Sequence, residues 1–273
     1  MKKPRIVIGG TQHTKATSFT SKHLQAYQDT KAYEEQGIIW VCPTRGTVPM
    51  CVVVSWMMLQ WPMNQFHSQL IAMEGAEVGE AYNKLVALSM DKRTLRAAYG
   101  NAYGDIFADS PFILTVEEDN VLPPDAAVRL LATIFKCPDC GGAVSGEKWR
   151  CARGHRGYDA VSGLYFVKHD PPIPMAFGTP KKGKRTGLDF KPRSIKKAVE
   201  KGEVIEVNGI AMGCALWRKD LFRKVSQPWF ETSATNTQDL YFCSKAKKET
   251  GARFGVHCGL RVGHYDAKTR EQF

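Results

Sequence analysis

The sequence predicts an α/β domain: a Rossmann-like mixed sheet flanked by helices and interrupted by one small cysteine-rich insertion. Three observations point there. Strand-like apolar runs alternate with stretches whose apolar residues recur at helical spacing, the pattern of a layered domain with a mostly parallel sheet. A chain of 273 residues, 43% of them hydrophobic, is long enough and apolar enough for a sizeable core without disulfides. Closely spaced cysteines fall between two predicted elements rather than inside one.

The elements follow in order. The opening MKKPRIVIGGTQHTK has only a three-residue aliphatic patch, too short for a signal peptide, and residues 1–36 read as an N-terminal extension. GIIWVC (37–42) reads as a buried strand, and PTRGTVP as a loop whose Thr47 and Pro49 start a helix over about 49–60. A short strand in FHSQLIAM precedes a helix over AEVGEAYNKLVALSM, where Val78, Tyr82, Leu85 and Leu88 share one face. PFILTV is the next strand, and Pro123 and Pro124 suit the first turn of a helix over PDAAVRLLATIF. After the cysteine-rich stretch come a strand in DAVSGLYFV, a Pro-, Gly- and Lys-rich loop from 169 to about 202, a strand in EVIEVNG, a helix from Gln238 to Glu249 and a strand near RFGVHC. The chain thus divides into 37–136, an insert at 137–157, and 158–273. It carries no internal repeat.

The formal net charge of +11 favours polyanionic partners, whether nucleic acid, anionic lipid or phosphorylated small molecules. No apolar run approaches bilayer length, and a cytoplasmic location is expected. In that reducing setting Cys42, Cys51, Cys214, Cys243 and Cys258, scattered among apolar neighbours, read as core thiols. Cys137, Cys140, Cys151 and His155 are different: C-x2-C-x10-C-x3-H brings two short chelating pairs together around a tetrahedral ion, with Gly141 and Gly142 relaxing the first knuckle. Four ligands leave no open position, so this zinc would be structural. Trp149, Arg150, Arg153 and Arg156 beside it suit either a nucleic-acid backbone or a solvated rim.

GTPKKGKRT (178–186) almost spells a phosphate-binding loop, but Arg185 stands where Ser or Thr must reach magnesium and no strand precedes it. Lys181, Lys182, Lys184 and Arg185 instead open a cationic segment running to Lys197, either a solvated linker or a loop that orders over a polyphosphate or polymer.

Three carboxylates, Glu117, Glu118 and Asp119, stand where PFILTV ends, in VEEDNVLPPD. Ligands bind beyond the carboxyl ends of strands in such sheets. Crowded acids there repel one another unless a cation compensates, and hard divalent ions take oxygen ligands. Asp239 lies in the first turn of its helix, either ordinary decoration behind a Thr237 cap or a proton acceptor kept ionised by the helix dipole. His264 follows the last strand, in VGHYD.

Taken together, PTRG, EVGEAYN, EEDN, GIAMGCALWRKDLF, TQDLYF with a glycine twelve residues after Asp239, and the terminal GH resemble nucleotide-diphosphate-sugar glycosyltransferases of the GT-A fold, family-two-like enzymes of bacteria and their phages. The resemblance runs from about Gly37 to His264, excluding the insert. It implies a nucleotide-sugar-binding half (37–136) and an acceptor-binding half (158–273). Pro43, Thr44 and Arg45 would line the base pocket, and Asn83, Glu117 and Glu118 would also serve the donor, Glu117 facing the ribose. Asp119 would bind Mn or Mg with His264 completing the site. Asp239 would be the general base, with Gly213 and Trp229 near the acceptor. Two positions depart from the family: Tyr82 replaces the usual arginine, and Glu117 stands where Asp is customary.

For the acceptor, the basic surface, the cationic segment and the zinc knuckle suit hydroxymethylated pyrimidine bases of phage DNA, which would place the enzyme in the host cytoplasm. A surface polysaccharide or protein acceptor shares the same catalytic core. From another class, a non-catalytic zinc-ribbon nucleic-acid-binding protein would make the acidic cluster a mere cap. Stabilisation by UDP with Mn separates these classes.

Overall fold

The computed structural model describes residues 37–61, 69–167, 169–180, 189–233, 237–266, 269 and 271–272. The expected extension (1–36) and Lys181, Lys182, Lys184 and Arg185 lie outside them.

The first half contains strand β1 (Ile38–Thr44), helix α1 (Met50–Met57), β2 (Gln69–Glu74), α2 (Val78–Met90), α3 (Lys92–Tyr99), α4 (Asn101–Asp109), β3 (Phe112–Val116), β4 (Asn120–Val121) and α5 (Ala126–Ile134). The insert is a hairpin of β5 (Val144–Ser145) and β6 (Arg150–Cys151). The second half has β7 (Ala160–Leu164), β8 (Phe166–Val167), β9 (Ile173–Pro174), β10 (Ala176–Phe177), α6 (Lys196–Lys201), β11 (Val204–Val207), β12 (Gly209–Ile210), β13 (Cys214–Arg218), α7 (Lys219–Lys224), α8 (Gln238–Thr250), β14 (Phe254–Arg261), β15 (Gly263–Asp266) and β16 (Glu271–Gln272).

Seven strands form one sheet in the order β11-β14-β7-β13-β3-β1-β2. Three pairings are parallel (β1 with β2, β1 with β3, β7 with β14) and three antiparallel (β13 with β3, β13 with β7, β11 with β14). The sheet is therefore evenly mixed rather than mostly parallel. Two of the antiparallel pairings belong to β13, which the sequence reading left within a motif: it inserts between β3 and β7 and joins the two halves into one sheet, while edge strand β11 supplies the third.

Both faces are covered, which is why the central strands read as unbroken apolar runs. Ile38, Cys42, Phe112, Leu114, Cys214 and Leu216 pack with α5 and the insert on one side. Ile39, Val41, Ile113, Ala215 and Trp217 face the other, against α2, α7 and α8. The two-residue alternation of strand side chains sorts one strand's residues between these cores. Glu77 caps α2 by accepting from the Glu80 N–H (2.9 Å), and Asp91 caps α3 through the N–H groups of Arg93 and Thr94 (3.0 and 3.2 Å). Helices α3 and α4, unassigned from sequence, meet at Gly100, whose φ of 79° favours glycine.

Beyond Val116 the chain makes a turn and then β4, on which β15 folds back antiparallel with His264 opposite Asn120. Helix α5 then returns to the other end of the sheet. There Trp149 of the insert packs on Phe112, the first residue of β3 (centroids 6.2 Å apart), and on Phe135 (5.2 Å). The insert and the acidic turn thus occupy opposite ends of β3. No helix among the described residues is long and apolar enough to cross a membrane.

Candidate active site and metal centre

Because β1 and β3 are parallel neighbours, the loops that follow them leave the sheet side by side. Thr44 Oγ1 (2.6 Å) and the Arg45 N–H (2.7 Å) donate to Glu118 Oε2, and Arg45 Nε donates to Oε1. Burial is the strongest influence on Glu118 and pushes its carboxyl up, but the combined bonds from Thr44 and Arg45 outweigh it and hold the group below its usual range. Glu118, expected to serve the donor directly, spends its oxygens on locking the PTRG loop. It still lines, with Pro43, Thr44, Arg45, Glu117 and Asp119, a cavity of about 370 Å³ that Ala76 and Val78 also border.

Glu117 lies between this cavity and the interior. Burial first, then repulsion from Asp119 and Asp239, raises its carboxyl to about 8. Tyr82, standing where the family's arginine was expected, is fully buried with its hydroxyl 3.5 Å from Glu117 Oε1. At this position the chain offers a weak hydrogen bond in place of a positive charge.

Asp119 and His264, 145 positions apart in sequence, are brought together by the β4–β15 ladder and by the bond from the Tyr265 N–H to the Asp119 carbonyl (2.7 Å). His264 Nε2 is 3.4 Å from Asp119 Oδ2. Asp119 Oδ1 and His264 Nδ1 are buried without a hydrogen-bond partner among the described residues. An oxygen and an imidazole left in that state suit a divalent cation whose remaining positions are filled from outside the protein.

Asp239 is 5% exposed and accepts from Thr237 Oγ1 and the Leu240 N–H (2.8 Å). Thr237 occupies the N-cap position of α8, but its hydroxyl serves Asp239 rather than the helix. Burial raises the Asp239 carboxyl against those bonds, and its charge is felt at Glu117. The two acids therefore approach a common space from different halves of the chain.

The sequence reading missed one polar group here. Asn120 is fully buried, and neither atom of its amide has a partner among the described residues. A Cβ at Gly213 would collide with Asn120 Oδ1, and the Gly213 N–H donates to Tyr165 Oη (3.2 Å). Gly213 thus lies beside Asp119's neighbour, where only a glycine leaves room. Asn120 stood in the EEDN string, but nothing local distinguished it from an exposed turn residue.

Two expected site residues have other duties. Asn83 gives its amide to the chain: Oδ1 accepts from the N–H groups of Trp229 (2.9 Å) and Phe230 (3.1 Å), and Nδ2 donates to the Phe230 carbonyl (2.7 Å). Trp229 is buried, with its indole N–H shared between the carbonyls of Phe222 and Val225 (both 3.0 Å). Asn83 therefore clasps the two halves, and Trp229 fills the core they share.

At the far end of the sheet, ligand atoms of Cys137, Cys140, Cys151 and His155 all lie within 4.8 Å of one another, and this cluster could hold a metal ion. Cys140 Sγ is 3.6 Å from Cys151 Sγ, near the roughly 3.8 Å edge of a tetrahedron with Zn–S bonds of about 2.3 Å. His155 Nδ1 is buried and without a hydrogen-bond partner among the described residues. The Gly141 N–H returns to the Cys137 carbonyl (2.9 Å) and the Gly154 N–H to that of Cys151 (2.8 Å), closing two knuckles at glycines of positive φ. The residues fit zinc. Of the other five cysteines, Cys42, Cys214, Cys243 and Cys258 are buried and Cys51 is half-buried.

No family model and no curated protein matches the chain. Among solved structures it is similar to A197 from STIV, with a TM-score of 0.52 and 15% identity, over 87% of this chain and 93% of that one. It is also similar to GalNAc-T7, solved with UDP, GalNAc and Mn2+, with a TM-score of 0.47 and 13% identity, over 97% of this chain and 56% of that one. At such identities the likeness to A197 concerns the fold alone.

Proposed function

We propose that this chain is a metal-dependent glycosyltransferase of GT-A type, moving a sugar from a nucleotide-diphosphate sugar to a hydroxyl acceptor. The observation that carries the reading is the convergence of Asp119 and His264 at 3.4 Å, each with an unpartnered buried atom, beside the cavity that Pro43, Thr44 and Arg45 line. Asp119 and His264 would hold Mn or Mg, which when bound supplies positive charge against the charge building on a departing diphosphate. Glu118 fixes Thr44 and Arg45, so the base-pocket wall is preorganised before the donor arrives. Glu117 lies inward of Asp119, where the resemblance assigns it the ribose. Asp239, buried and raised, accepts the proton of the acceptor hydroxyl, a role worth about 100- to 10,000-fold in rate.

The acceptor proposed is a hydroxymethylated pyrimidine base in DNA. Its support is the charge balance of +11, since phosphate contacts supply most nonspecific affinity. The zinc knuckle lends that acceptor little, because it stands at the opposite end of β3 from Asp119 and would grip a polymer away from the chemistry. Hydroxymethylated DNA incubated with a panel of nucleotide sugars and read by mass spectrometry is expected to gain one sugar mass, and Asp239→Asn to reduce the yield at least about 100-fold. Transfer to proteins or glycans only would remove the DNA acceptor. No transfer to any acceptor, with no donor hydrolysis, would remove the enzyme.

A further inference from the structure

A cavity of about 590 Å³ has no part in the site above. It opens between α5, the first zinc knuckle and the α6–β11 corner, and its lining includes Arg129, Lys136, Lys201, Glu203 and His257. Arg129 is 5% exposed although it carries a full positive charge. It pairs with the half-exposed Asp125, one helical turn back at 3.7 Å, and its Nε is buried without a hydrogen-bond partner among the described residues. A buried N–H left in that state costs free energy unless something arrives to accept it. The lining holds three cations, Arg129, Lys136 and Lys201, and one acid, Glu203, which lies 3.6 Å from Lys201.

The backbone is shaped to admit that guanidinium. Strand β14 loses register with β7 between His257 and Arg261, and Gly259 sits in the irregularity. A Cβ there would lie 3.2 Å from both Arg129 Nη2 and His257 Cε1 and 3.1 Å from Gly202 Cα, tighter than ordinary packing. A glycine in a bulge thus lets Arg129, His257 and the α6–β11 turn converge. His257 Nδ1 accepts from the Gly259 N–H (3.2 Å), which leaves the ring hydrogen on Nε2.

We propose that this cavity is a second, phosphate-binding site, in which Arg129 grips the phosphate group and Lys136 and Lys201 flank it. A planar guanidinium with an unspent Nε–H suits two phosphate oxygens at once, and the volume accommodates a phosphate together with the group that carries it. The ligand is a phosphate monoester or diester, either a free small molecule or one unit of a nucleic-acid backbone.

The test is calorimetric titration of the full-length protein with inorganic phosphate and, separately, with a short oligodeoxynucleotide. Saturable phosphate binding is expected in the wild type and in Asp119→Ala, which separates this site from the catalytic cleft. It should weaken about 10-fold or more in Arg129→Met. The Lys136→Ala/Lys201→Ala double variant, altered at two exposed residues, should weaken likewise and decides the matter if Arg129→Met does not fold. Arg129-dependent oligonucleotide binding that displaces phosphate would make a polymer backbone the source, and phosphate binding alone a free phosphate compound. Absence of saturable phosphate binding, or equal affinity in the folded variants, overturns the proposal.

Discussion

Lys219 is fully buried at the junction of β13 and α7, and its ammonium donates to three carbonyls: Ser89 (2.9 Å), Phe107 (3.0 Å) and Ala108 (3.1 Å). These carbonyls lie in the last turns of α2 and α4, where intrahelical donors run out, and that of Phe107 also accepts from the Ser110 N–H (3.3 Å), so one side chain ties two helix ends together. Burial, aided by Arg223 and opposed by Asp109, lowers its ammonium to about 7. Lys219→Met should cost roughly 2–4 kcal/mol in urea unfolding, since the carbonyls lose their donors. The pH dependence has a definite sign. An unfolded lysine titrates near 10.4, so between about 7 and about 10.4 the unfolded chain holds a proton that the folded one has shed, and stability rises with pH. The gap between wild type and Lys219→Met should therefore widen across that window, and a flat gap would contradict the burial account. At this scale the sequence was least legible. Asn83, Trp229 and Glu118 were expected at the donor or acceptor, and each is engaged by the chain itself; position along the chain does not say whether an amide, an indole or a carboxylate turns toward a ligand or toward its own protein.

Among elements, what could be read was what is local. The α2 face emerged from its spacing, and Tyr82 and Leu85 are indeed buried. The cysteine-histidine cluster emerged because its ligands lie within nineteen positions. Helices α3 and α4 escaped because KRTLRAAY is polar and Gly100 breaks the pattern. Strand β13 escaped because its place between β3 and β7 is a fact of topology. The β4–β15 ladder escaped as well; the resemblance implied only that His264 would complete a metal site with Asp119, and the ladder is what brings the two together. The insert is fastened by Arg253, which bonds Asp139 (2.7 and 3.1 Å), Glu206 (2.6 and 3.2 Å) and the Arg156 carbonyl (2.8 Å). Arg156 and Arg218 meet Asp159 beneath it, each at 3.1 Å. If the cluster binds zinc, Arg253→Met should release it to a chelator about 10-fold faster while the purified protein still contains about one zinc. Trp149, wedged between Phe112 and Phe135, is the natural fluorescent reporter. Unchanged release would mean that the ligands alone hold the knuckle.

Over the whole molecule, one sheet separates two regions of opposite character. Carboxylates gather beyond the last residue of β3, while the cysteine cluster and the positively lined cavity lie near its first. The +11 balance should make any DNA binding strongly salt-dependent, falling about 10-fold or more between 50 and 200 mM salt in a fluorescence-anisotropy titration. A salt-independent affinity would show that the charge is not spent on phosphates. The central claim concerns the acidic end: that Asp119 and His264 hold a divalent cation with a nucleotide diphosphate. Its most direct measurement is Mn2+ binding by electron paramagnetic resonance in the presence of UDP. The wild type should take up one Mn2+ more tightly with UDP than without, and Asp119→Ala and His264→Ala should each weaken that uptake at least about 10-fold. Equal Mn2+ uptake by wild type and both variants, or none in any of them with or without UDP, would contradict it.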